Sequence, residues 1–296
     1  MICGSVVAIL RNPISGSARK TAAVRELIAE LRRLGLRPRL FSDRERLTEF
    51  VQACQARGDL RCVVAVGGDG TIGDVVNRFP GTPIATLPLG NVNLLAGFFD
   101  VPRCGRTVAR LIAEGKTRCL DLGCVNGQRF TLMASLGFDA EVVERLHRCR
   151  TGPVSMASYA RPIVETCWSY PWPELTVRVD DQSTFHGVRQ VVVCNLPPYA
   201  LRLRFCPEAR ADDGLLDVCL LFRGSVRAVL RYFVAVRMGW HVRLPDVRML
   251  KARKIHVEST QAEPYGAARL QIDGDPAGRA PAEITVQPQA LELFVP

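Results

Sequence analysis

The chain reads as an α/β protein: an N-terminal parallel sheet with helices on both faces, followed by a C-terminal antiparallel β-rich domain of β-sandwich type. Three observations predict this. Short apolar runs alternate with amphipathic helical stretches through residues 1–118. The run Val63–Val66 is β-branched and does not alternate in polarity, which suits a strand covered on both faces. From residue 119 onward the strand-like runs crowd together, with few helical stretches among them.

In order, Val6 to Leu10 is a buried strand, followed by the loop Asn12 to Gly16 and a helix from about Ala18 to Leu34. Val24, Leu27, Ile28, Leu31 and Leu34 keep one face of that helix apolar. Leu36 to Phe41 is a second strand, and Ser42-Asp43 is a cap for a helix carrying Leu47, Phe50, Val51 and Cys54. The next strand runs into Gly67-Gly68-Asp69-Gly70-Thr71. There Thr71 and Asp74 have capping-box spacing, so a helix is expected to start at that point. Ile84 to Leu87 is a fourth strand, ending in Pro88-Leu89-Gly90. Ligands of such a sheet bind at the carboxyl ends of its strands.

The second domain, 119–296, opens with a hairpin of Cys119–Val125 and Phe130–Ser135 about an Asn126-Gly127 turn. Helical stretches follow at about 140–149 and 154–168. Strand-like runs come next at 175–179, 188–194, 215–222, 247–258, 269–273, 283–287 and 291–295. The last of them can return toward the first domain. A helix over 225–240 interrupts the series, with Val226, Val229, Leu230, Phe233, Val236 and Trp240 on one side and Arg227, Arg231 and Arg237 elsewhere. It suits either an anionic lipid surface or packing on the sheet with its arginines in water, the commoner outcome. The aromatic cluster Trp168–Trp172 suits a membrane boundary or, more commonly, a domain seam.

Bulk properties set limits. The 296 residues carry a net charge of +10, 39 basic against 29 acidic, and most of the basic residues are arginine. That excess suits an anionic membrane surface, nucleic acid, phosphorylated ligands or simply an arginine-rich proteome. No basic block or aromatic–basic interleaving marks a nucleic-acid face, so no nucleic acid is expected. The eleven cysteines are scattered and lack Cys-x-x-Cys pairing, as expected of small apolar residues in a reducing cytosol. No apolar run approaches the roughly 18 residues of a spanning helix. The expected location is therefore cytoplasmic with peripheral membrane contact, and a homodimer is open.

The chemistry concentrates in Gly67–Thr71. Glycines that turn sharply and bare N–H groups, leading into a helix N-terminus, favour an anion. Asp69 among them points to a nucleotide with Mg²⁺ or to a general base beside a phosphoryl group. A plain glycine turn with a solvated aspartate is the alternative for this stretch taken alone.

Gly67-Gly68-Asp69-Gly70-Thr71 resembles the signature of diacylglycerol kinases of bacterial type, of sphingosine and ceramide kinases and, more distantly, of NAD kinases and phosphofructokinases. Asn12-Pro13-Ile14-Ser15-Gly16, the segment Leu87 to Ala96, Ser135 to Ala140 and Asp213-Gly214-Leu215-Leu216-Asp217 resemble further blocks of the lipid kinases, in the same order. The resemblance implies ATP and Mg²⁺ as cofactors and transfer of the γ-phosphate to a hydroxyl of a membrane lipid. It implies nucleotide contacts from Asn12, Pro13, Ser15, Gly16, Ser42, Gly67, Gly68, Asp69, Gly70, Thr71, Gly90, Asn91 and Asn93. A metal site would comprise Asp213 and Asp217, with backbone oxygens of Arg210 and Leu215. The base would be Asp275, where the family usually has a glutamate, with Asp69 as second choice. Asn91 replaces a threonine and Leu94 a carboxylate, and Gly73-Asp74 replaces Asn-Glu. Pro197 to Arg202 stands where relatives often have a glycine-rich loop. The alternatives are a nucleotide-binding regulatory module without turnover, or a kinase of a soluble acceptor such as NAD.

Overall fold

The computed structural model describes residues 4–11, 18–149, 156–260 and 267–296. They form two compact units, Met1–Leu120 with Gln289–Pro296, and Asp121–Pro288.

In the first unit the elements are β1 (Val6–Arg11), α1 (Ala18–Arg33), β2 (Arg37–Phe41), α2 (Arg44–Ala56), β3 (Leu60–Gly67), α3 (Asp69–Arg78), β4 (Ile84–Pro88), α4 (Leu94–Phe98) and α5 (Gly105–Glu114). The sheet order is β2-β1-β3-β4, every pair parallel. Val7, Ile9, Val64, Val66 and Leu87 face Leu27 and Leu31 of α1 and Val108 and Ile112 of α5. Ala8, Leu10, Val63 and Ala65, on the alternate face, are equally buried, so helices cover both sides as the unbroken apolar runs require. Asp43, with both Glu45 and Arg46 amides donating to its carboxylate, is the cap of α2.

The capping box does not form. Helix α3 begins at Asp69, with Gly68 at the cap position and no side-chain cap, because the extended backbone of Gly68 makes the turn two residues before the expected start. Asp74 instead pairs with Arg44 at 2.6 Å and Arg78 at 3.0 Å. Helix α5 buries Val108, Ala109, Leu111 and Ile112 along one face, an element absent from the expected series.

The chain leaves the first unit within β5 (Thr117–Val125). The second unit adds β6 (Gln128–Phe130), β7 (Met133–Leu136), α6 (Phe138–Arg148), α7 (Ala160–Ser169), β8 (Leu175–Val179), β9 (Ser183–Val188), β10 (Gln190–Cys194), β11 (Leu216–Leu221), α8 (Val226–Met238), β12 (Val247–Ala252), β13 (Lys254–Ser259), β14 (Arg269–Ile272), β15 (Asp275–Arg279) and β16 (Ala282–Phe294). Strands β12-β11-β10-β7-β14-β15 form one antiparallel sheet. The start of β16 pairs antiparallel with β13, which pairs with β8 and β8 with β9. Val191, Val193, Val218 and Leu220 from the first set pack with Val177, Ile255, Val257 and Ile284 from the second, which makes a sandwich.

Strands β9 and β15 fall outside the expected runs, and other strand boundaries also differ from those expected. The hairpin turn is at Asn126-Gly127, both at positive φ, but its second arm ends at Phe130. Residues 133–136 then pair in the other sheet, since the Asp273 carboxylate accepts from the Thr131, Leu132 and Met133 amides and turns the chain there. The run 247–258 is two strands, with β12 and β13 in different sheets. The runs 283–287 and 291–295 belong to the single strand β16, which passes from one unit to the other near Gln289. Of the aromatic cluster, Trp168 is exposed while Trp172 stacks on Phe138 at 5.2 Å.

Candidate functional site

Strand β3 delivers Gly67 and Gly68 to the first turn of α3, and β4 delivers Gly90 beside them. The Gly90 amide donates to Gly67 O at 3.0 Å. The approach leaves no room for side chains: a Cβ on Gly90 would lie 2.4 Å from Gly68 Cα, and one on Gly67 would lie 2.2 Å from Thr71 Oγ1. Asn93, in the left-handed region at φ 54, donates through Nδ2 to Gly90 O at 2.7 Å. Its Oδ1 is buried with no partner among the described residues, an acceptor that a bound hydroxyl would satisfy.

Asp69 ties these two loops together. Its Oδ2 accepts from the Leu94 amide at 2.9 Å and its Oδ1 from the Leu95 amide at 3.1 Å. Burial raises the carboxyl pKa, and the Leu94 and Leu95 amides oppose that rise. The carboxylate thus anchors the first turn of α4, a task the sequence did not suggest. Leu94 contributes through its backbone N–H, which any residue other than proline would supply. Gly67, Gly68, Asp69, Thr71, Gly90 and Asn93 therefore meet in one place, with Gly70 exposed in the first turn of α3. Asn91 is exposed on the β4–α4 loop, and Ser42 is exposed between β2 and α2. Asn12, Pro13, Ser15 and Gly16 lie outside the described residues.

In the second unit, strands β11 and β12 place Asp217 opposite Lys251. Lys251 Nζ donates to Asp213 Oδ2 at 2.6 Å and stands 3.7 Å from Asp217 Oδ2. Asp213 Oδ1 accepts from its own loop, the Leu215 amide at 3.1 Å. Asp217 Oδ2 is buried without a hydrogen bond among the described residues, and burial raises the Asp217 pKa while Lys251 pulls it down. Two carboxylates share one ammonium, leaving a hard oxygen donor unsatisfied. That donor set fits a Mg²⁺ held by one or two carboxylates and keeping its waters, with Lys251 as a competing cation. The Arg210 side chain pairs with Asp212 at 3.1 Å.

Asp275 is exposed at the first position of β15, past the turn Asp273-Gly274, both at positive φ. Asp273 itself accepts four hydrogen bonds, from the Thr131, Leu132 and Met133 amides and Thr131 Oγ1, all between 2.8 and 2.9 Å. Sequence reasoning missed this residue, although an Asp-Gly pair after a strand is a strong hairpin signal. It also missed Asp139. Ser135 and Tyr199 each donate to Asp139 Oδ2 at 2.5 Å, and Gln271 donates to Ser135 Oγ at 2.6 Å. Burial raises the Asp139 pKa, opposed by those donors. Tyr199 belongs to the Pro197–Arg202 segment, so that segment is held by a buried carboxylate.

Comparison with known proteins places both halves. The diacylglycerol kinase catalytic domain matches residues 6–125. The YegS C-terminal NAD kinase beta sandwich-like domain matches residues 133–295. A protein of Mycobacterium tuberculosis named diacylglycerol kinase is 29% identical over 300 residues, covering 98% of this chain and 95% of that protein. A diacylglycerol kinase structure from Bacillus anthracis has a TM-score of 0.70 at 16% identity, covering 99% of this chain and 97% of the other. The yeast NADH kinase complexed with NADH has a TM-score of 0.53 at 13% identity, covering 99% and 84%.

Proposed function

Because the chain belongs to the diacylglycerol kinase family, with its catalytic domain followed by the YegS C-terminal NAD kinase beta sandwich-like domain, it is a phosphotransferase by descent, and we propose that it moves the γ-phosphate of ATP to a hydroxyl of a membrane lipid of diacylglycerol or sphingoid type. The observation that carries this reading is the meeting of Gly67, Gly68 and Gly90 at the N-terminus of α3, where backbone amides and the helix dipole favour phosphate. The name of the Mycobacterium tuberculosis relative supports the lipid as acceptor.

In this reading the Gly67–Thr71 turn holds ATP phosphates, with the Thr71 amide closing the turn onto Gly68 O, and Asp69 positions the loop by fixing α4 to it. Ser42, Asn91 and Asn93 contact the nucleoside side. Asp213 and Asp217, with backbone oxygens of Arg210 and Leu215, would hold Mg²⁺, which offsets phosphate charge when bound. Asp275 takes the proton of the acceptor hydroxyl as its oxygen bonds to the γ-phosphorus, and the bond to the bridging oxygen breaks with its electron pair leaving on ADP. We place the enzyme in the cytoplasm with peripheral membrane contact. No helix among the described residues is long and apolar enough to cross a membrane.

One observation favours a second reading. Both oxygens of Asp69 are held by amides, so if Asp275 is too short to reach the acceptor, the chain binds nucleotide without turnover. The test is transfer of label from γ-labelled ATP with Mg²⁺ to a panel of lipids in anionic mixed micelles, with Asp69→Ala and Asp275→Asn alongside. Labelled lipid that disappears in both variants is the expected result and names the acceptor class. ATP binding with no labelled lipid would move the assignment to a soluble acceptor, NAD included, or to the non-turnover module.

A further inference from the structure

Helix α8 leaves an apolar face in solvent. Its buried side consists of Ala228, Tyr232, Ala235 and Val236, and the Tyr232 hydroxyl donates to Asp246 at 2.6 Å. On the opposite side Leu230 is 62% exposed, Val234 53% and Met238 70%, flanked by Val226 and Phe233. At helical spacing these five fall on one arc, and just past the helix end Trp240 and Val242 are each 40% exposed. Isolated exposed apolar residues are ordinary, but a contiguous set marks a contact surface. The helix packs with its arginines exposed, as expected, but through Ala228, Tyr232, Ala235 and Val236, which leaves the larger apolar residues outside as well.

Charge identifies the partner. From Phe222 to Pro245 the chain carries five arginines, of which Arg223 and Arg231 pair with Asp246 while Arg227, Arg237 and Arg243 have no acidic residue within that stretch. Arg227, Arg237 and Arg243 are exposed, with Arg227 and Arg237 set among the apolar side chains. Long arginine stems can lie along an apolar surface while their heads reach a polar one. Pairing α8 with a second copy about a two-fold axis would bring these arginines against their own counterparts, where like charges repel. An anionic headgroup layer satisfies both features, and tryptophan suits its boundary. A second exposed pair, Val164 and Trp168, lies on α7, whose Ile163 and Cys167 share a cluster with Val229 of α8.

We propose that the outward face of α8, with Trp240 and Val242, docks the protein on an anionic lipid bilayer. The proposal rests on this surface and is independent of the reaction assigned above. The test is co-sedimentation of the full chain with vesicles of phosphatidylcholine alone and vesicles enriched in phosphatidylglycerol. Two exposed-site variants accompany it, Leu230→Ser with Phe233→Ser, and Arg227→Gln with Arg237→Gln. Circular dichroism establishes that each is folded. Binding to the anionic vesicles is expected, about 25-fold weaker in the arginine pair at about fivefold per basic side chain, and lost in the apolar pair. Absence of binding to anionic vesicles, or binding that neither pair alters, would overturn the proposal. So would a solution dimer that the Leu230/Phe233 variant dissociates, which would assign the face to a second copy.

Discussion

Replacing Gly90 with alanine tests the close approach of the β3–α3 and β4–α4 loops. The added Cβ would meet Gly68 Cα at 2.4 Å, Asn93 Oδ1 at 2.6 Å and Gly68 N at 2.9 Å. Ordinary contact begins near 3.4 Å, so the two loops must part by about 1 Å, from 3.4 minus 2.4. Two of the three atoms are backbone and cannot rotate aside. Overpacking of this kind costs ~1–3 kcal/mol. At ~2–4 °C per kcal/mol, the melting temperature should fall by a few degrees to about ten. The same displacement would open the Gly90 amide bond to Gly67 and shift phosphate donors, with ~100-fold slower transfer where placement matters at the 1 Å level. Gly73 is the control: it lies inside α3 with nothing within 4 Å of an added Cβ. Gly73→Ala should be stabilising by ~0.5–1 kcal/mol through helix propensity. The assays are thermal unfolding by circular dichroism and ATP binding by calorimetry. A Gly90→Ala protein with unchanged melting and ATP affinity, or a Gly73→Ala protein equally damaged, would refute the reasoning.

Asp273→Asn should lower stability by about 2–4 kcal/mol in urea unfolding, because each carboxylate oxygen accepts two hydrogen bonds and an amide NH₂ in place of either would face two of the four donors. Lys251→Met removes the ammonium shared by Asp213 and Asp217. It should unfold earlier without Mg²⁺ and gain more from added Mg²⁺ than the parent protein, and equal gains would show that Lys251 does not compete for that site. The hydrogen bond from Arg33 holds the Glu30 carboxyl at about 2, below its ordinary 4.5. A depressed acid contributes stability above the unfolded-state value that is lost as pH falls toward the folded one. Urea midpoints measured from pH 5 to pH 2 should therefore fall less steeply in Glu30→Gln.

The fold was legible where one residue pattern decides between strand and helix. Val63–Val66 and Ile84–Leu87 are covered on both faces, and their sequences show it. Partner choice was less legible. Residues 247–258 look like one strand, but β12 and β13 join different sheets, and nothing local in Ala252-Arg253 announces the change. In the candidate site the glycines stood out because they lack side chains in a fixed order. Lys251 did not, because its meeting with Asp213 and Asp217 depends on the register of β11 against β12. Asp69 looked like a chemical group and proved also to be a structural one, since its partners are the amides of Leu94 and Leu95, which any sequence carries. Helix α8 shows the limit of periodicity: it has apolar residues on both sides, and only packing selects Ala228 and Ala235 for the interior.

The last strand bears on biosynthesis. Leu293 pairs in parallel with Ile84, Phe294 joins the apolar core of the first unit, and the Val295 amide donates to Lys116 O. The N-terminal unit therefore lacks a core residue and the neighbour of β4 until residues 289–296 are translated. While the ribosome is still synthesising residues 121–288, β4 is an open sheet edge, the kind of surface that pairs wrongly with other nascent chains. Loss of residues 289–296 should consequently damage the amino-terminal half first, although it lies far from them in the sequence.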